Sequence, residues 1–259
     1  MKKLVIQILK QELKAVLVEN STKMVVLGVF PFTGKNEVAI KTEIDRITNE
    51  LKLKTEPIVI LPEPGLYPNC ENWKLAKNQF ESCLTRAYYE AQLGQFKNQG
   101  TYLLLEIGNS LNLSVIRKTT KDIEIEQHNL DRLVADFREA ISEPHESRYM
   151  QDFCSNHFFL RKTGNSGLNI YSKLEDDIAD GAELFVEYGA NMGALLANLD
   201  TLYEPNCIAI SGSLSQTFDA WSHAMGKMRN LHRGKKPACR AVPLKDKTNA
   251  SILGAYRLS

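Results

Sequence analysis

Residues 180–215 read DGAELFVEYGANMGALLANLDTLYEPNCIAISGSLS and predict a long helix, a buried strand and a turn in succession. The helix carries one continuous apolar face, because its large apolar residues recur at helical spacing. They are Phe185, Tyr188, Met192, Leu195, Leu196, Leu199 and Leu202. Gly189, Gly193 and Ala197 recur every fourth residue, which permits another element to approach the helix backbone closely. Pro205 ends the helix, and the segment after it predicts a strand at 207–210.

Strands followed by helices occur twice along the chain. The first group predicts an antiparallel meander, a helix, a short strand and a second helix, at residues 4–9, 13–18, 24–30, 37–53, 57–62 and 73–93. The second group predicts three strands and three helices, at residues 102–107, 111–116, 123–125, 130–141, 147–161 and in a helix that ends near 203. The chain then closes with strand, helix, strand and helix, at residues 207–210, 216–230, 240–242 and 249–258.

This repeat predicts an α/β protein with two lobes, each built on a mixed sheet flanked by helices. We expect a smaller N-terminal lobe at residues 1–99 and a larger C-terminal lobe at 100–259. The last helix, 249–258, is expected to pack back toward the N-terminal lobe.

Composition narrows the classes of function. The formal net charge of the 259 residues is +1, so nucleic acid and anionic membranes are not expected partners, and the basic run 232–236 is interpreted as a solvated loop. The apolar run at the start is too short for a signal peptide, and no stretch approaches 18 apolar residues, so no membrane span is expected. The cysteines are scattered without C-x-x-C spacing, which predicts reduced thiols in a cytoplasmic protein. They are Cys70, Cys83, Cys154, Cys207 and Cys239.

Residues 180–215 resemble the ROK family of repressors and sugar kinases, in the actin/sugar kinase/Hsp70 superfamily. The match lies in the long helix, the turn after it and the strand that leads to the family's adenosine loop. FCSNHFFLRKTG at 153–164 and NASILGAYRL at 249–258 resemble further family segments, and PIVILPEPG at 57–65 and LVIQILKQELKAVLVE at 4–19 match more weakly. The resemblance implies a duplicated actin/ribonuclease-H-like fold, homodimers, and transfer of phosphate from ATP, with Mg²⁺, to a sugar hydroxyl.

The phosphate turns of the family are altered in this chain. The first reads D-I-G-G-T in the family, and the matching residues here, 7–11, contain no Asp or Gly. The second reads L-G-T-G-I-G, and the match at 107–112 keeps one glycine, with Glu106 just before it. Side chains in place of glycine block close approach of phosphate to the backbone, and a carboxylate repels it. The stretch Gly108-Asn109-Ser110 also resembles the D-x-G-N-T turn of type III pantothenate kinases, a lower-ranked interpretation because those enzymes begin with that turn.

The remaining motifs are altered too. The family's base motif E-N-D-A-N matches 81–85, which places Cys83 where the catalytic Asp would be; a thiol is a poor acceptor for a hydroxyl proton, and a small buried residue is the alternative. No Asp occurs between Ile47 and Asp122. The zinc motif C-x-C-G-x-x-G-C is missing, so no zinc or other metal is expected. The adenosine loop G-G-G-x-S matches 211–215 and keeps Gly212.

We therefore expect a pseudokinase that acts as a binding or assembly protein and dimerises through its C-terminal lobe, with a sugar as candidate ligand. The residues interpreted as a vestigial nucleotide site are Gln7, Lys10, Gly108, Asn109, Ser110, Gly212 and Ser213. The first alternative is a divergent hexose kinase that uses ATP and Mg²⁺, with Glu63, Glu81 or Glu106 as its acid. The second is a ROK regulator, which is disfavoured because no helix-turn-helix is expected before the first strand.

Overall fold

The computed structural model describes two compact units. The described residues are 2–20, 23–34, 36–52, 56–62, 67, 70–135, 149–174, 178–233, 238–244 and 249–259. The first unit comprises Met1–Lys97 and Lys247–Ser259, and the second comprises Asn98–Asp246. The expected lobes were 1–99 and 100–259. The C-terminal segment, whose helix was expected to pack toward the N-terminal lobe, belongs to the first unit, where that helix packs against the second helix and the first strand.

The first unit contains a five-stranded mixed sheet. Its strands are β1 (Lys3–Ile8), β2 (Glu12–Val18), β3 (Met24–Pro31), β4 (Ile58–Ile60) and β5 (Asn78–Phe80), in the order β3-β2-β1-β4-β5. β1 pairs antiparallel with β2 and parallel with β4, which in turn runs parallel to β5. Its helices are α1 (Glu37–Glu50), α2 (Ser82–Gln92) and α8 (Ala250–Leu258).

Both faces of this sheet are covered. Leu4, Ile6 and Ile8 of β1 pack with the buried isoleucines of α1, whereas Val5 packs with Ile252 of α8 on the opposite face. A strand that is buried on both faces reads as a continuous apolar run rather than an alternating one. This explains why residues 4–9 form an almost uninterrupted apolar run in the sequence.

The second unit repeats the same strand arrangement. Its strands are β6 (Gly100–Ile107), β7 (Leu111–Lys118), β8 (Ile123–Asn129), β9 (Cys207–Ser211) and β10 (Arg240–Pro243), in the order β10-β9-β6-β7-β8. β6 pairs antiparallel with β7 and parallel with β9, as β1 does with β2 and β4. Its helices are α3 (Met150–Cys154), α4 (Asn156–Thr163), α5 (Gly167–Tyr171), α6 (Ile178–Tyr203) and α7 (Phe218–Arg233). The predicted duplicated α/β fold with two mixed sheets is confirmed.

The core of the second unit is built on α6 and α7. The apolar face predicted for α6 is buried except at its end, where Leu202 is 73% exposed. In that last turn the residue that faces α7 is Asp200, whose carboxylate binds the guanidinium groups of Arg229 and Arg233. The prediction for Leu202 was therefore wrong, because an ion pair occupies the end of the helix interface.

Two predicted helices also differ from the structure. The helix expected at 73–93 begins only at Ser82. The Gln79 amide accepts from the backbone N–H groups of Leu75 and Ala76 and donates to the Trp73 carbonyl, which holds the segment before β5 in a non-helical conformation. The helix expected at 130–141 is wrong over 130–135, where residues form a turn and a bridge instead; residues 136–148 lie outside the described part of the chain.

No helix in the described ranges is long and apolar enough to cross a membrane.

Candidate functional site

The first turn joins β1 to β2 at residues 9–11. The Leu9 N–H donates to the Glu12 carbonyl over 2.9 Å, and the Gln11 carbonyl accepts from the Phe32 N–H over 2.8 Å. The buried Tyr67 hydroxyl lies 2.6 Å from the Lys10 carbonyl oxygen and 3.1 Å from that of Leu9, so it can donate to either. The carbonyl groups of Leu9 and Lys10 thus point toward the Tyr67 hydroxyl. A phosphate site at a turn requires backbone N–H groups that point toward the ligand.

Two predicted nucleotide-binding residues lie at this turn. Lys10 is exposed at its tip, and Gln7 lies within β1, paired with Lys14 of β2 and Ile60 of β4. A lysine on an exposed turn is a mobile, solvated charge and does not by itself form an anion site.

The second turn, Gly108-Asn109-Ser110, joins β6 to β7. The Gly108 N–H donates to the Ser110 carbonyl over 3.0 Å, and the Leu111 N–H donates to the Asp131 carboxylate over 2.6 Å. Two backbone donors of the turn are therefore already used, one of them by a negatively charged group of the protein. Burial raises the pKa of Asp131, although hydrogen bonds from the Leu111 N–H and the Asn129 amide partly oppose that shift.

Asn156, at the start of α4, anchors this second turn. Its backbone N–H donates to the Gly108 carbonyl over 2.7 Å, and its side-chain amide donates to the Asn109 side chain over 3.1 Å. Its own amide oxygen accepts from the Gly167 N–H over 2.9 Å. Neither Asn156 nor Asp131 could be recognised from sequence spacing, because Asp131 lies 20 positions from Leu111 and Asn156 lies 47 positions from Asn109.

The third turn follows β9 and packs directly on the second. Gly212 has φ +86°, and a Cβ at this position would lie 2.3 Å from the Ile107 carbonyl oxygen, so only glycine fits. A Cβ on Gly108 would lie 3.2 Å from the Ser213 hydroxyl oxygen. The fold therefore places Gly108 next to Gly212 and Ser213, although about a hundred residues separate Gly108 from the other two in the sequence.

A row of polar side chains crosses the second sheet beside these turns. Strand register places Asn129, Asn112, Glu106 and Ser211 side by side on β8, β7, β6 and β9. The Asn129 amide donates to the Asn112 side chain over 3.2 Å, and the Asn112 amide donates to the Ser110 hydroxyl over 2.9 Å. The Ser211 hydroxyl is buried and has no hydrogen-bond partner among the described residues. We call these four residues the polar row.

The position of the expected base lies in the first unit, at the start of α2. Cys83 is 4% exposed, and its sulfur lies 3.6 Å from a carboxylate oxygen of Glu81, to which the thiol donates. A thiol in this arrangement gives a hydrogen bond to a carboxylate and is not arranged to take a proton from a sugar hydroxyl. Glu63, one of the alternative acids, lies outside the described residues.

The predicted residues fall into two sets, one in each unit. Gln7, Lys10 and Cys83 lie in the first unit, and the residues of the second and third turns lie in the second. Among the residues that the structure describes, no group of three or more His, Cys, Asp or Glu side chains is placed to hold a metal ion.

No protein-family model and no curated protein matches the sequence. Solved structures do match the fold. A ROK family protein from Streptococcus pneumoniae in complex with sucrose is 14% identical, with a TM-score of 0.75, over 98% of this chain and 96% of that chain. A ROK family glucokinase from Streptomyces griseus in complex with glucose and AMPPNP is 12% identical, with a TM-score of 0.70, over 100% of this chain and 99% of that chain.

A ROK family transcriptional regulator, a homologue of the E. coli MLC protein, also matches. It is 12% identical, with a TM-score of 0.72, and the match covers 98% of this chain and 76% of the regulator. At these identities the comparison concerns the fold, and at that level the resemblance seen in the sequence is confirmed. The chain therefore has the two-lobed, actin-like fold of the ROK sugar kinases and regulators.

Proposed function

We propose that the protein is a pseudokinase: a sugar-kinase fold that serves as a binding or assembly protein and does not transfer phosphate. The observation that carries the proposal is the Asp131 carboxylate, which receives the Leu111 N–H at the end of the second turn. In an active kinase of this fold, backbone N–H groups at such a turn are needed for phosphate. Here a group of the protein with the same charge as phosphate already uses one of them.

The electrostatic cost of phosphate at this turn is large. Two like unit charges about 4 Å apart repel each other by roughly 4 kcal/mol at an effective dielectric constant of 20. That energy corresponds to about a thousandfold loss of affinity. The first turn adds to the argument, because the carbonyls of Leu9 and Lys10 face Tyr67. These residues do not fit a Mg²⁺–ATP complex.

Cys83 supports the same proposal because it is poorly suited to accept a proton. The family chemistry needs a carboxylate that accepts the hydroxyl proton as the phosphoryl group is transferred. Cys83 is buried at the matching position and donates to Glu81. The aspartate is replaced by a group with the wrong hydrogen-bonding role.

A coupled assay of ADP release tests the proposal directly. Purified protein is mixed with ATP, Mg²⁺ and a panel of hexoses, with an active glucokinase as positive control. We expect no ADP release above the rate without sugar, and ATP affinity weaker than about 1 mM by titration calorimetry. Sugar-dependent ADP release by the unmodified protein would refute the pseudokinase.

Glu81 favours a divergent kinase as the second candidate function. This residue is the N-cap of α2 and its side chain does not cap the helix backbone, so a carboxylate is present two residues from the expected base. If Glu81 replaces the missing aspartate, Glu81→Gln must abolish sugar-dependent ADP release and Cys83→Ser must leave it within about threefold. Without turnover in the unmodified protein, this candidate fails.

We also propose a cytoplasmic homodimer that binds a sugar. All five cysteines are free thiols, which is the state expected in a reducing compartment. Structures of the same fold contain sucrose or glucose, which makes a sugar the first ligand to test. Sedimentation at about 50 µM should give twice the chain mass of 29.2 kDa, and a monomer at that concentration contradicts the dimer.

A further inference from the structure

The outer edge of the first sheet exposes valines. β3 is the last strand in the order β3-β2-β1-β4-β5, so one of its edges has no neighbouring strand among the described residues. Its segment Met24–Pro31 contains no charged residue, and Val25, Val26 and Val29 are 45%, 52% and 47% exposed. Natural proteins protect such edges with charged side chains, because unpaired backbone N–H and C=O groups readily pair with another strand. Apart from one bulge and the proline at its end, β3 lacks that protection.

The equivalent edge of the second unit is protected by charge. β8 is the third strand of its meander, as β3 is, and it lies at the end of the order β10-β9-β6-β7-β8. Its exposed side chains are Glu124, Glu126, His128 and Asn129, and Glu126 forms an ion pair with Arg117 over 2.8 Å. The same position in the duplicated fold therefore carries charge in one unit and valine in the other, which indicates that a further strand covers β3.

A bulge places the exposed valines of β3 in a self-complementary pattern. The register of β3 against β2 skips Leu27, which is therefore the extra residue of the bulge. Val26 lies opposite Val16, and Val29 lies opposite a residue two positions from it, Lys14. The two valines therefore share one face of the sheet, although they are three positions apart in the sequence.

Two copies of β3 complement each other in one antiparallel register. When Val26 of one copy lies opposite Val29 of a second copy, Val25 lies opposite Phe30 of that copy. Val25 and Phe30 also share a face, because their partners on β2 are four positions apart. Aromatic and β-branched residues in such cross-strand positions stabilise a sheet. The bulge lies at the centre of the pair, so residues 24–26 of each copy can pair with residues 29–31 of the other.

The absence of charge favours a second copy as the occupant of this edge. In a pair of β3 strands no like charges face each other, because the strand carries none. The corresponding register of β8 would place Glu126 opposite Glu126, and like charges directly opposite each other destabilise a strand pair. The strand that fits β3 must be uncharged and must accommodate the bulge at its centre, and β3 itself has both properties.

We propose that two copies of the chain associate by antiparallel pairing of their β3 strands, which joins their two five-stranded sheets into one. The inference rests on the proposed homodimer and identifies its contact surface, which then lies in the first unit rather than in the C-terminal lobe expected from the resemblance. One pair of eight-residue strands buries roughly 1,000 Å², at the low end of specific interfaces, so the dimer is expected to dissociate on dilution.

Sedimentation of the full chain between about 1 and 100 µM tests the pairing. We expect a monomer–dimer equilibrium whose dissociation constant rises at least tenfold in Val26→Lys, because the symmetric contact contains the substitution twice. A lysine on an edge strand opposes pairing with a further strand. Val29→Lys should have the same effect, and it provides a second variant if circular dichroism shows that Val26→Lys does not fold.

Val186→Lys is the matched control. Val186 lies on α6 in the second unit and is 57% exposed, close to the exposure of Val26. The same substitution there should leave the dissociation constant within twofold. Loss of the dimer in Val186→Lys but not in Val26→Lys would assign the contact to the second unit and overturn the proposal.

Disulfide trapping tests the register of the two strands. Val26→Cys protein is mixed with Val29→Cys protein under a mild oxidant, and the unmodified protein gives the background of the five native cysteines. Cβ atoms directly opposite each other lie about 4.5–5.5 Å apart, within reach of a disulfide, whereas residues on the diagonal lie about 7–8 Å apart. The linked dimer should therefore form at least tenfold faster in the mixture than in either variant alone.

Three results would overturn the proposal. The first is a chain that stays monomeric at every concentration, with β3 free for a strand of a different protein. The second is equal linking in the mixture and in the single variants. The third is a dimer that persists in both lysine variants, which leaves the proposed homodimer intact and rejects only the strand pairing. The ADP assay does not depend on β3, so the pseudokinase is tested separately.

Discussion

Gly193 and Gly226 lie on the two helices of one packed pair, and we predict that replacing each by alanine changes stability in opposite directions. Gly193 is on α6, where a Cβ would lie 2.5 Å from the Met225 carbonyl oxygen and 2.8 Å from the Met228 Cβ. Gly226 is on α7, and a Cβ there would meet nothing within 4 Å. The same chemical change therefore tests the helix contact itself.

The expected magnitudes follow from these distances. Normal contacts require the two helices to move apart by roughly 1 Å at Gly193, and overpacking of this kind costs about 1–3 kcal/mol. Because the nearest atom is a backbone oxygen that cannot rotate away, we take the upper end of that range. The higher helix propensity of alanine than of glycine reduces this cost by about 1 kcal/mol. Gly193→Ala should therefore destabilise by about 2 kcal/mol, and Gly226→Ala should stabilise by up to about 1 kcal/mol.

Urea and thermal unfolding followed by circular dichroism measure both effects. For a domain of this size 1 kcal/mol corresponds to about 2–4 °C in Tm, so the two variants should differ by about 6–12 °C. An unchanged slope of free energy against urea would show that the difference lies in native stability. If Gly193→Ala is as stable as Gly226→Ala, the close approach of α6 and α7 is refuted.

Two further predictions concern the second unit. Gly212→Ala should destabilise by several kcal/mol, because φ +86° and the 2.3 Å approach to the Ile107 carbonyl oxygen exclude a side chain; a Tm within 2 °C of the unmodified protein would contradict this. Burial favours a higher pKa for Asp200, but the guanidinium groups of Arg229 and Arg233 outweigh it and hold that pKa below its ordinary value. Its ion pairs therefore stabilise the fold above the unfolded-state pKa of about 3.9, and this contribution is lost as the pH falls through the lower folded-state pKa. Asp200→Asn should cost about 3–5 kcal/mol at pH 7 and flatten the dependence of urea midpoints on pH below about 5.

Much of the architecture could be predicted from local pattern. Apolar runs in the first 30 residues and at 102–125 reveal the two meanders, and the repeat of strands and helices reveals the duplication. The prediction of a helix at 73–93 was wrong at its start, because helical periodicity does not show the hydrogen bonds of the Gln79 side chain. Its hydrogen bonds to the backbone of Trp73, Leu75 and Ala76 outweigh local helix propensity. The prediction that Leu202 belongs to the packed face of α6 was wrong, because periodicity does not show where the neighbouring helix makes an ion pair.

The sequence by itself predicted the order of elements and the small residues on α6, and it showed how residues 7–11, 81–85 and 107–112 differ from the motifs that they resemble. Only the tertiary structure decided what the residues at these positions contact. The pairing of β6 with β7 and β9 sets Ser211 beside Glu106, and the chain beyond β8 brings Asp131 to Leu111. Asn156 reaches Asn109 across 47 positions. Strand register and helix packing bring these distant residues into contact, and the spacing of residues within one segment predicts neither of them.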